Sequence, residues 1–202
     1  MPANDSPTAT AFTRWRTLDI VTCAVLAVAF GVVFWAWNFV WTGLEPALAF
    51  LLPLKGILYG VWLIPAVLAP LIVRKAGAGV FTEALAAVVS ALMGSFWGVL
   101  VIYQGLVQGL GGELVFAAGR YRRFGTGIAA AAGATACCAA TVWDLFAYYQ
   151  NLDFWAFQLP YVAFAMVSGA VIAGLGSKAL VAAMLPTGVL DSFPAGRERT
   201  RI

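Results

Sequence analysis

Three acidic residues, Glu83, Glu113 and Asp144, lie inside long apolar stretches of the chain. A charged side chain in hydrocarbon costs at least about 2.5 kcal/mol, so such residues usually face a bundle interior, a cavity or a partner. Gln104 and Gln108 lie in a further apolar stretch at a spacing of four, which places both amides on one helix face. Groups of this kind can bind a polar or cationic ligand, or they can form hydrogen bonds between helices. Both roles stay open for each acid.

Aromatic residues accompany these polar groups near the ends of the apolar stretches. Tyr59 and Trp62 share a helix face at a spacing of three, and Asp144 and Tyr148 share one at a spacing of four. Aromatic walls with a few carboxylates and amides suit a flat, partly cationic heteroaromatic ligand, because each ring face attracts a cation by about 0.5–2 kcal/mol. The groups predicted to converge in such a pocket are Trp37, Asn38, Glu45, Tyr59, Trp62, Gln104, Asp144 and Tyr148. Alternatively, the aromatic residues are anchors at the membrane interface.

The elements that must position these residues are apolar enough to span a membrane. Of the 202 residues, 62% are hydrophobic and 10% are charged, and the mean hydropathy is +0.90. A soluble domain is typically about 45–50% apolar and about 25% charged. Six transmembrane helices are predicted at about residues 19–39, 56–73, 80–94, 96–118, 125–147 and 157–183. We therefore predict an all-α integral membrane protein with a six-helix bundle and no room for a soluble domain.

Basic residues occur at alternate ends of these stretches. Eleven of the twelve lie on one side, and only Lys55 lies on the other. Because cytoplasmic loops carry an excess of Lys and Arg, this pattern predicts a multi-pass protein of the cell membrane with both termini in the cytoplasm. We expect a disordered cytoplasmic tail at 1–13, a membrane domain at 14–185 and a polar cytoplasmic tail at 186–202.

The segment 44–55 is apolar but too short to span the membrane, and Pro46 and Pro53 interrupt it. Backbone of this kind is tolerated at membrane depth only when protein or a cavity covers it. We therefore expect an outer lid or a re-entrant segment between the first and second helices.

In the fourth predicted helix, Glu113 and Gln104 lie at different angles around the helix axis. Glu113 is about half a turn out of phase with Gln104 in a straight helix, so the two cannot face one pocket. Either the glycines at 109–112 bend the helix, or Glu113 serves another purpose. Glu83, Gln108 and Glu113 are kept as deeper substrate-binding candidates, although both acids could instead pair with basic residues of the inner loops.

Small residues at Cys23, Ala27 and Gly31 repeat every four positions along one face of the first helix. Such a face allows close approach of another helix, either within the chain or from a separate membrane subunit. The chain has no histidine, and its three cysteines lie in apolar stretches, so we expect neither a metal site nor a disulfide framework. With no serine elbow and no GxxxxGK[ST] phosphate loop, we expect no enzyme activity and no cofactor.

From about Trp15 to Arg199 the chain resembles the YkoE-type S components of energy-coupling factor (ECF) transporters. The resemblance is carried by WRTLDIVTCAVLAVAFGVVFWAWNFVW, LYGVWLIPAVLAPLIVRKAGA, FTEALAAVVSALMGSFWG, GLVQGLGGELVFA with RYRR, WDLFAYY and VSGAVIAGLGSKAL. It implies a six-helix subunit that captures thiamine or its hydroxymethylpyrimidine precursor. It also implies a transmembrane coupling subunit and two ATPase subunits or domains as partners. The family's small-residue docking motif on the first helix corresponds here to Cys23 and Ala27.

A different function stays open beside this one. A stand-alone secondary transporter of a small cationic solute would need a proton relay, which Glu83, Glu113 and Asp144 could supply. The chain has no convincing internal repeat and is small, and both properties count against that alternative.

Overall fold

The computed structural model describes residues 14–197, and every regular element in this range is helical. In this described range, five helices are long and apolar enough to cross a membrane, and a sixth apolar helix is shorter. The elements are α1, Thr17–Leu44; α2, Ala49–Leu63 continuing as Ile64–Val73; α3, Ala78–Leu92; α4, Leu100–Ala118; α5, Thr126–Ala147; α6, Phe154–Thr187; and α7, Pro194–Arg197. The structure thus shows a multi-pass helical membrane protein with five candidate spans. The predicted tail at 1–13 and residues 198–202 lie outside the described residues.

Helix α1 buries one face only. The buried positions Cys23, Ala27, Gly31, Phe34, Asn38 and Trp41 recur every three or four residues, which is the period of a helix face. Ala27 and Phe34 form a small cluster with Ala86 of α3. The face opposite is apolar and exposed, with Val25 63% accessible, as expected for a helix at the outside of a bundle in lipid.

This packing corrects the idea that the small-residue face of α1 is free to bind a partner. Cys23 and Ala27 are completely buried, and a Cβ at Gly31 would lie 2.5 Å from Cβ of Val89 in α3. The small side chains are therefore needed for the close approach of α1 and α3 within the chain. In this structure a separate subunit cannot reach Cys23, Ala27 or Gly31.

Helix α2 changes its winding midway and lies at the centre of the bundle. Residues Ala49–Leu63 form a 3₁₀ helix with an irregular backbone at Leu51, and Ile64–Val73 form an α-helix buried at nearly every position. Of the segment 44–55, predicted to form an outer lid or a re-entrant segment, residues 49–55 thus belong to this helix. Only the turn at 45–48 separates α1 from α2.

Helices α5 and α6 approach each other so closely that side chains are excluded at their crossing. A Cβ at Gly133 would overlap the backbone of Gly169 and of Gly174, and a Cβ at Gly169 would overlap the backbone of Gly133. The Ala- and Gly-rich composition of α5 explains this contact, because backbones can touch only where side chains are small. Helix α6 has a π-helical turn at Gly169–Leu175, where it crosses α5.

The segment that follows α6 is packed against the bundle. Leu190 and Phe193 belong to the main hydrophobic core, and the guanidinium of Arg16 donates hydrogen bonds to the carbonyl of Ser192. The part of the predicted polar tail that the structure describes, up to Arg197, is thus anchored to the start of α1.

Candidate ligand-binding cavity

A cavity of about 500 Å³, including the space at its open mouth, lies at one end of the bundle. It is formed by the C-terminal halves of α1 and α5, the 3₁₀ part of α2, the middle of α3 and the N-terminal half of α4. This end is opposite to the Arg-rich segments at 14–16 and 120–123, which lie at the other ends of the same helices. The lining residues are Phe34, Asn38, Trp41, Tyr59, Trp62, Ala87, Trp97, Val101, Gln104, Gln108, Asp144, Tyr148 and Tyr149.

The carboxylate of Asp144 is the acidic group in the cavity wall, and three side chains donate to it. The hydroxyl groups of Tyr59 and Tyr161 lie 2.6 Å and 2.8 Å from its Oδ2 atom, and Nε2 of Gln104 lies 2.8 Å from its Oδ1 atom. Gln104 Nε2 also donates to the Tyr59 hydroxyl. The four residues come from α2, α4, α5 and α6, so the network joins four helices. A buried acidic group is thereby hydrogen-bonded on both oxygens, as burial in protein requires.

Aromatic rings form most of the remaining wall. Trp41 packs against Trp62 with ring centroids 5.2 Å apart, and Tyr59 meets Trp62 edge to face at 5.5 Å. On another side, Trp97 and Tyr148 have centroids 5.6 Å apart. Such a set of rings around a carboxylate presents negative ring faces and an anionic acceptor to the same volume, which favours a flat ligand with positive charge.

Tyr148 and Tyr149 follow the last residue of α5, outside the membrane-spanning helix. Burial, with the nearby Asp144 carboxylate, raises the pKa of Tyr149 to about 12, and the same two causes raise the pKa of Tyr148. Both phenols therefore keep their protons at neutral pH and can donate hydrogen bonds to a ligand.

Seven of the eleven side chains predicted to bind substrate line the cavity, namely Asn38, Tyr59, Trp62, Gln104, Gln108, Asp144 and Tyr148. Asn38 donates to Oγ of Ser95 at 3.2 Å, so its orientation is fixed by the turn before α4. The four others, Trp37, Glu45, Glu83 and Glu113, do not line it.

Two of these four lie near the cavity but point elsewhere. The indole N–H of Trp37 donates to the carbonyl of Leu58 at 2.9 Å, which ties α1 to α2. Glu45 forms an ion pair with Lys55 at 2.8 Å, and the Lys55 amine lies 4.6 Å from the ring centroid of Trp41. The Glu45 side chain is 59% exposed, whereas that of Lys55 is only 5% exposed.

Glu83 accepts a hydrogen bond from a backbone amide at the start of a helix. Its Oε2 atom lies 2.8 Å from the amide nitrogen of Ala66, in the first turn of the α-helical part of α2. First-turn amides have no partner within their own helix, and an acidic group there is favoured by the helix dipole. The other oxygen, Oε1, is buried and has no hydrogen-bond partner among the described residues.

Glu113 likewise accepts hydrogen bonds from backbone amides at the start of a helix, in this case α3. Its two oxygens accept from the amides of Gly77 and Gly79, each at 2.8 Å, and Ala78 is the first residue of that helix. Burial and a hydrogen bond to Glu113 raise the pKa of Tyr121, in the loop after α4. Helix α4 is continuous through its glycines, so Glu113 points away from the face of Gln104. The glycines at 109–112 therefore do not bend the helix, and Glu113 instead binds the start of α3.

Six lining residues were not among the predicted ligands: Phe34, Trp41, Ala87, Trp97, Val101 and Tyr149. Trp41 belongs to the aromatic cluster at the end of the first helix, and Tyr149 follows Tyr148 directly, so composition alone could have suggested both. Trp97 lies in the irregular turn between α3 and α4. Only the fold shows that this turn bends over the cavity.

An aromatic cavity with a few convergent polar groups at one end of a multi-pass helical protein is typical of a membrane protein that captures small molecules. Comparison with known proteins identifies the family of this chain. Residues 18–139 match the family described as the permease component of an ABC-type cobalt transport system. A Bacillus subtilis (strain 168) protein, YkoE, whose name describes it as an HMP/thiamine permease protein, is 33% identical over 187 residues, covering 91% of this chain and 92% of that protein.

A solved structure agrees with these matches. The crystal structure of an S-component of an ECF transporter superposes with a TM-score of 0.87 at 32% sequence identity, over 93% of this chain and 94% of that chain. The chain belongs to the YkoE-type S components of ECF transporters. This confirms the resemblance found in the sequence.

Proposed function

We propose that this S component captures thiamine or hydroxymethylpyrimidine for ATP-driven uptake powered by partner subunits. The observation that carries the proposal is the Asp144 carboxylate in the wall of a cavity lined mainly by aromatic side chains. The name of the B. subtilis relative supports the same pair of ligands.

The chemistry of the cavity matches these ligands. Thiamine has a cationic thiazolium ring, which aromatic faces attract by about 0.5–2 kcal/mol each, and a flat aminopyrimidine that can stack on Trp and Tyr. The aminopyrimidine is shared with hydroxymethylpyrimidine, and its amino group can donate to Asp144 or to the amide oxygens of Gln108 and Asn38. The family description names cobalt, but the proposal does not include a metal. Among residues 14–197 no group of three His, Cys, Asp or Glu side chains could hold a metal ion.

In this proposal α3 is a sixth, short membrane span, and both termini are cytoplasmic. Helix α3 has 15 residues and so spans roughly 22 Å at a rise of about 1.5 Å per residue, less than the roughly 30 Å of a bilayer core. Its apolar sequence and its close packing between α1 and α4 support that role. The Arg-rich loops support the orientation, which places the cavity on the outer side.

The outer segment from the end of α1 to Lys55 is proposed to act as a lid. Lys55 at the end of this segment holds it against α1, because its amine contacts both Glu45, which follows α1 directly, and the cavity residue Trp41 of α1. Release to the inside requires energy from elsewhere, since the chain has no phosphate-binding loop. We propose that a transmembrane coupling subunit and two ATPase subunits supply it, using a surface other than the buried face at Cys23, Ala27 and Gly31.

The test is a titration of the purified chain in detergent with thiamine and with hydroxymethylpyrimidine, followed by tryptophan fluorescence and calorimetry. We expect saturable binding without ATPase subunits, and at least a tenfold weaker affinity for thiamine in Asp144→Asn. Asp153→Asn is the matched control, because Asp153 is exposed and caps α6, and asparagine caps as well as aspartate does. If folded wild-type protein binds neither ligand, the proposed ligands are wrong. Co-purification with a coupling subunit and ATP-dependent release tests the partners.

A further inference from the structure

Tyr161 contacts the binding network without lining the cavity. Its side chain is completely buried in α6, and its hydroxyl donates to Oδ2 of Asp144 at 2.8 Å. The ring is stacked on Phe157, with centroids 5.4 Å apart and planes inclined by 14°, and it meets Tyr149 edge to face at 5.5 Å. The packing fixes the ring, so the hydroxyl stays directed at Asp144.

The two oxygens of Asp144 are occupied unequally. Among residues 14–197, Oδ2 accepts from two phenols, Tyr59 and Tyr161, whereas Oδ1 accepts only from Gln104. A carboxylate offers about four acceptor positions, two on each oxygen. Oδ2 is therefore filled by protein donors, and Oδ1 keeps one position for another donor. Because all three protein partners donate, the carboxylate acts only as an acceptor in this network.

We propose that Oδ1 of Asp144 is the atom that receives the ligand and that Tyr161 is a positioning residue for it. Tyr161, which does not line the cavity, donates to Oδ2 and thereby orients the carboxylate so that Oδ1 is the oxygen left for the ligand. It thereby increases selectivity for a positively charged aromatic ligand over a neutral one. The proposal rests on the proposed function and adds to it a specificity-determining residue outside the cavity.

The physical reason for the selectivity is the charge of the ligand. The amino group that both ligands share can donate a charge-assisted hydrogen bond to the carboxylate, and the thiazolium of thiamine, which has no N–H, gains in addition by direct attraction to the same negative charge. A neutral ligand of the same ring type gains this hydrogen bond and stacking but not the attraction between opposite charges. Loss of the orientation should therefore weaken binding of the cation more than binding of the neutral molecule.

The test compares thiamine with hydroxymethylpyrimidine on Tyr161→Phe, which removes one oxygen atom and keeps the ring. We expect the affinity for thiamine to fall about tenfold, which equals about 1.4 kcal/mol, and the affinity for hydroxymethylpyrimidine to fall less than about threefold. Tyr103→Phe is the control, because Tyr103 is 56% exposed on α4 and does not line the cavity. That variant should bind both ligands as the wild type does.

A purely structural role of Tyr161 would change the two affinities by the same factor, because it would distort the whole cavity. Equal losses for both ligands, or no loss for thiamine, would overturn the inference while leaving the proposed function intact. If wild-type protein binds neither ligand, the proposed function fails and this inference fails with it. Should Tyr161→Phe not fold, Phe157→Leu provides a second test, since it loosens the stacked ring without removing the hydroxyl. The same difference between the two ligands is expected, and equal losses would again contradict the inference.

Discussion

Oε2 of Glu113 lies 2.8 Å from the amide nitrogen of Gly79, and this contact joins the C-terminal half of α4 to the first turn of α3. The second oxygen of the same carboxylate binds the amide of Gly77. One side chain thus satisfies two of the unpaired amides that every helix start leaves, and it does so from 34 residues away. An acidic group inside a membrane span that resembles a ligand-binding residue is here a structural cap.

The first prediction concerns the stability of this contact. Glu113→Ala should lower the free energy of unfolding by about 1–3 kcal/mol, because it leaves two amides without an acceptor where the helix dipole favours a negative charge. Thermal unfolding in detergent measures the effect, with the exposed Asp191→Asn as control. Thiamine affinity of the folded fraction should stay at the wild-type value, because Glu113 does not line the cavity. A stable variant with impaired binding would instead indicate a role in the binding site.

The second prediction concerns the crossing of α5 and α6. Gly133→Ala should destabilise the protein by about 1–3 kcal/mol or more, because its Cβ would overlap the backbone of Gly169 and neither backbone can move aside easily. Gly127→Ala in the same helix is the matched control. Nothing lies within 4 Å of its Cβ, so it should be neutral or stabilising by up to about 1 kcal/mol. Equal melting temperatures for the two variants would contradict the close crossing.

The third prediction tests the proposed lid. Glu45→Gln should increase the dissociation rate of bound thiamine about 2–5-fold, the range that a partly exposed ion pair of up to about 1 kcal/mol allows. The association rate should change less, because interface changes act mainly on dissociation. Stopped-flow tryptophan fluorescence gives both rates, and the difference from wild type should shrink at high salt. Asp153→Asn, at the same end of the bundle, serves as control. An unchanged dissociation rate in Glu45→Gln would rule out a role of the Glu45–Lys55 ion pair in holding the lid.

The fourth prediction tests the orientation in the membrane. In a background with Cys23→Ala, Cys137→Ala and Cys138→Ala, Gly43→Cys should react with an impermeant maleimide added to intact cells. Arg122→Cys should react only after the cells are opened. Gly43 has no atom within 4 Å of its Cβ position, and Arg122 is exposed, so both cysteines are accessible. The reverse pattern of labelling would place the termini outside.

Cysteine reactivity also checks the packing of α1. Cys23 is fully buried between α1 and its neighbours, and Cys138 is partly accessible. Burial keeps a reagent away from a thiol, so a small permeant maleimide should modify Cys138 before Cys23. Single-cysteine variants analysed by mass spectrometry give the two rates. A fast reaction of Cys23 would show that this face of α1 is open after all.

Local sequence patterns predicted much of the fold and part of the cavity. The approximate positions of the helices and the shared helix faces of Tyr59 with Trp62 and of Asp144 with Tyr148 follow from hydropathy and spacing along single helices. The prediction of a separate lid over 44–55 was less accurate. Proline and the short apolar run suggested a break, and the backbone is indeed irregular at Leu51. The residues that follow continue into α2, because a 3₁₀ helix accommodates Pro53 near its start.

By itself, the sequence determined that this is a helical membrane protein, because hydropathy and helical period depend only on neighbouring residues. It also determined the family, through motifs spread along nearly the whole chain. The tertiary structure alone decided which polar groups meet. Glu83 and Glu113 cap helices, Asp144 joins Tyr59 and Tyr161, and the small face of α1 is covered by α3. These partners are separated by tens of residues, and the crossing of helices that brings them together is not encoded in any local pattern.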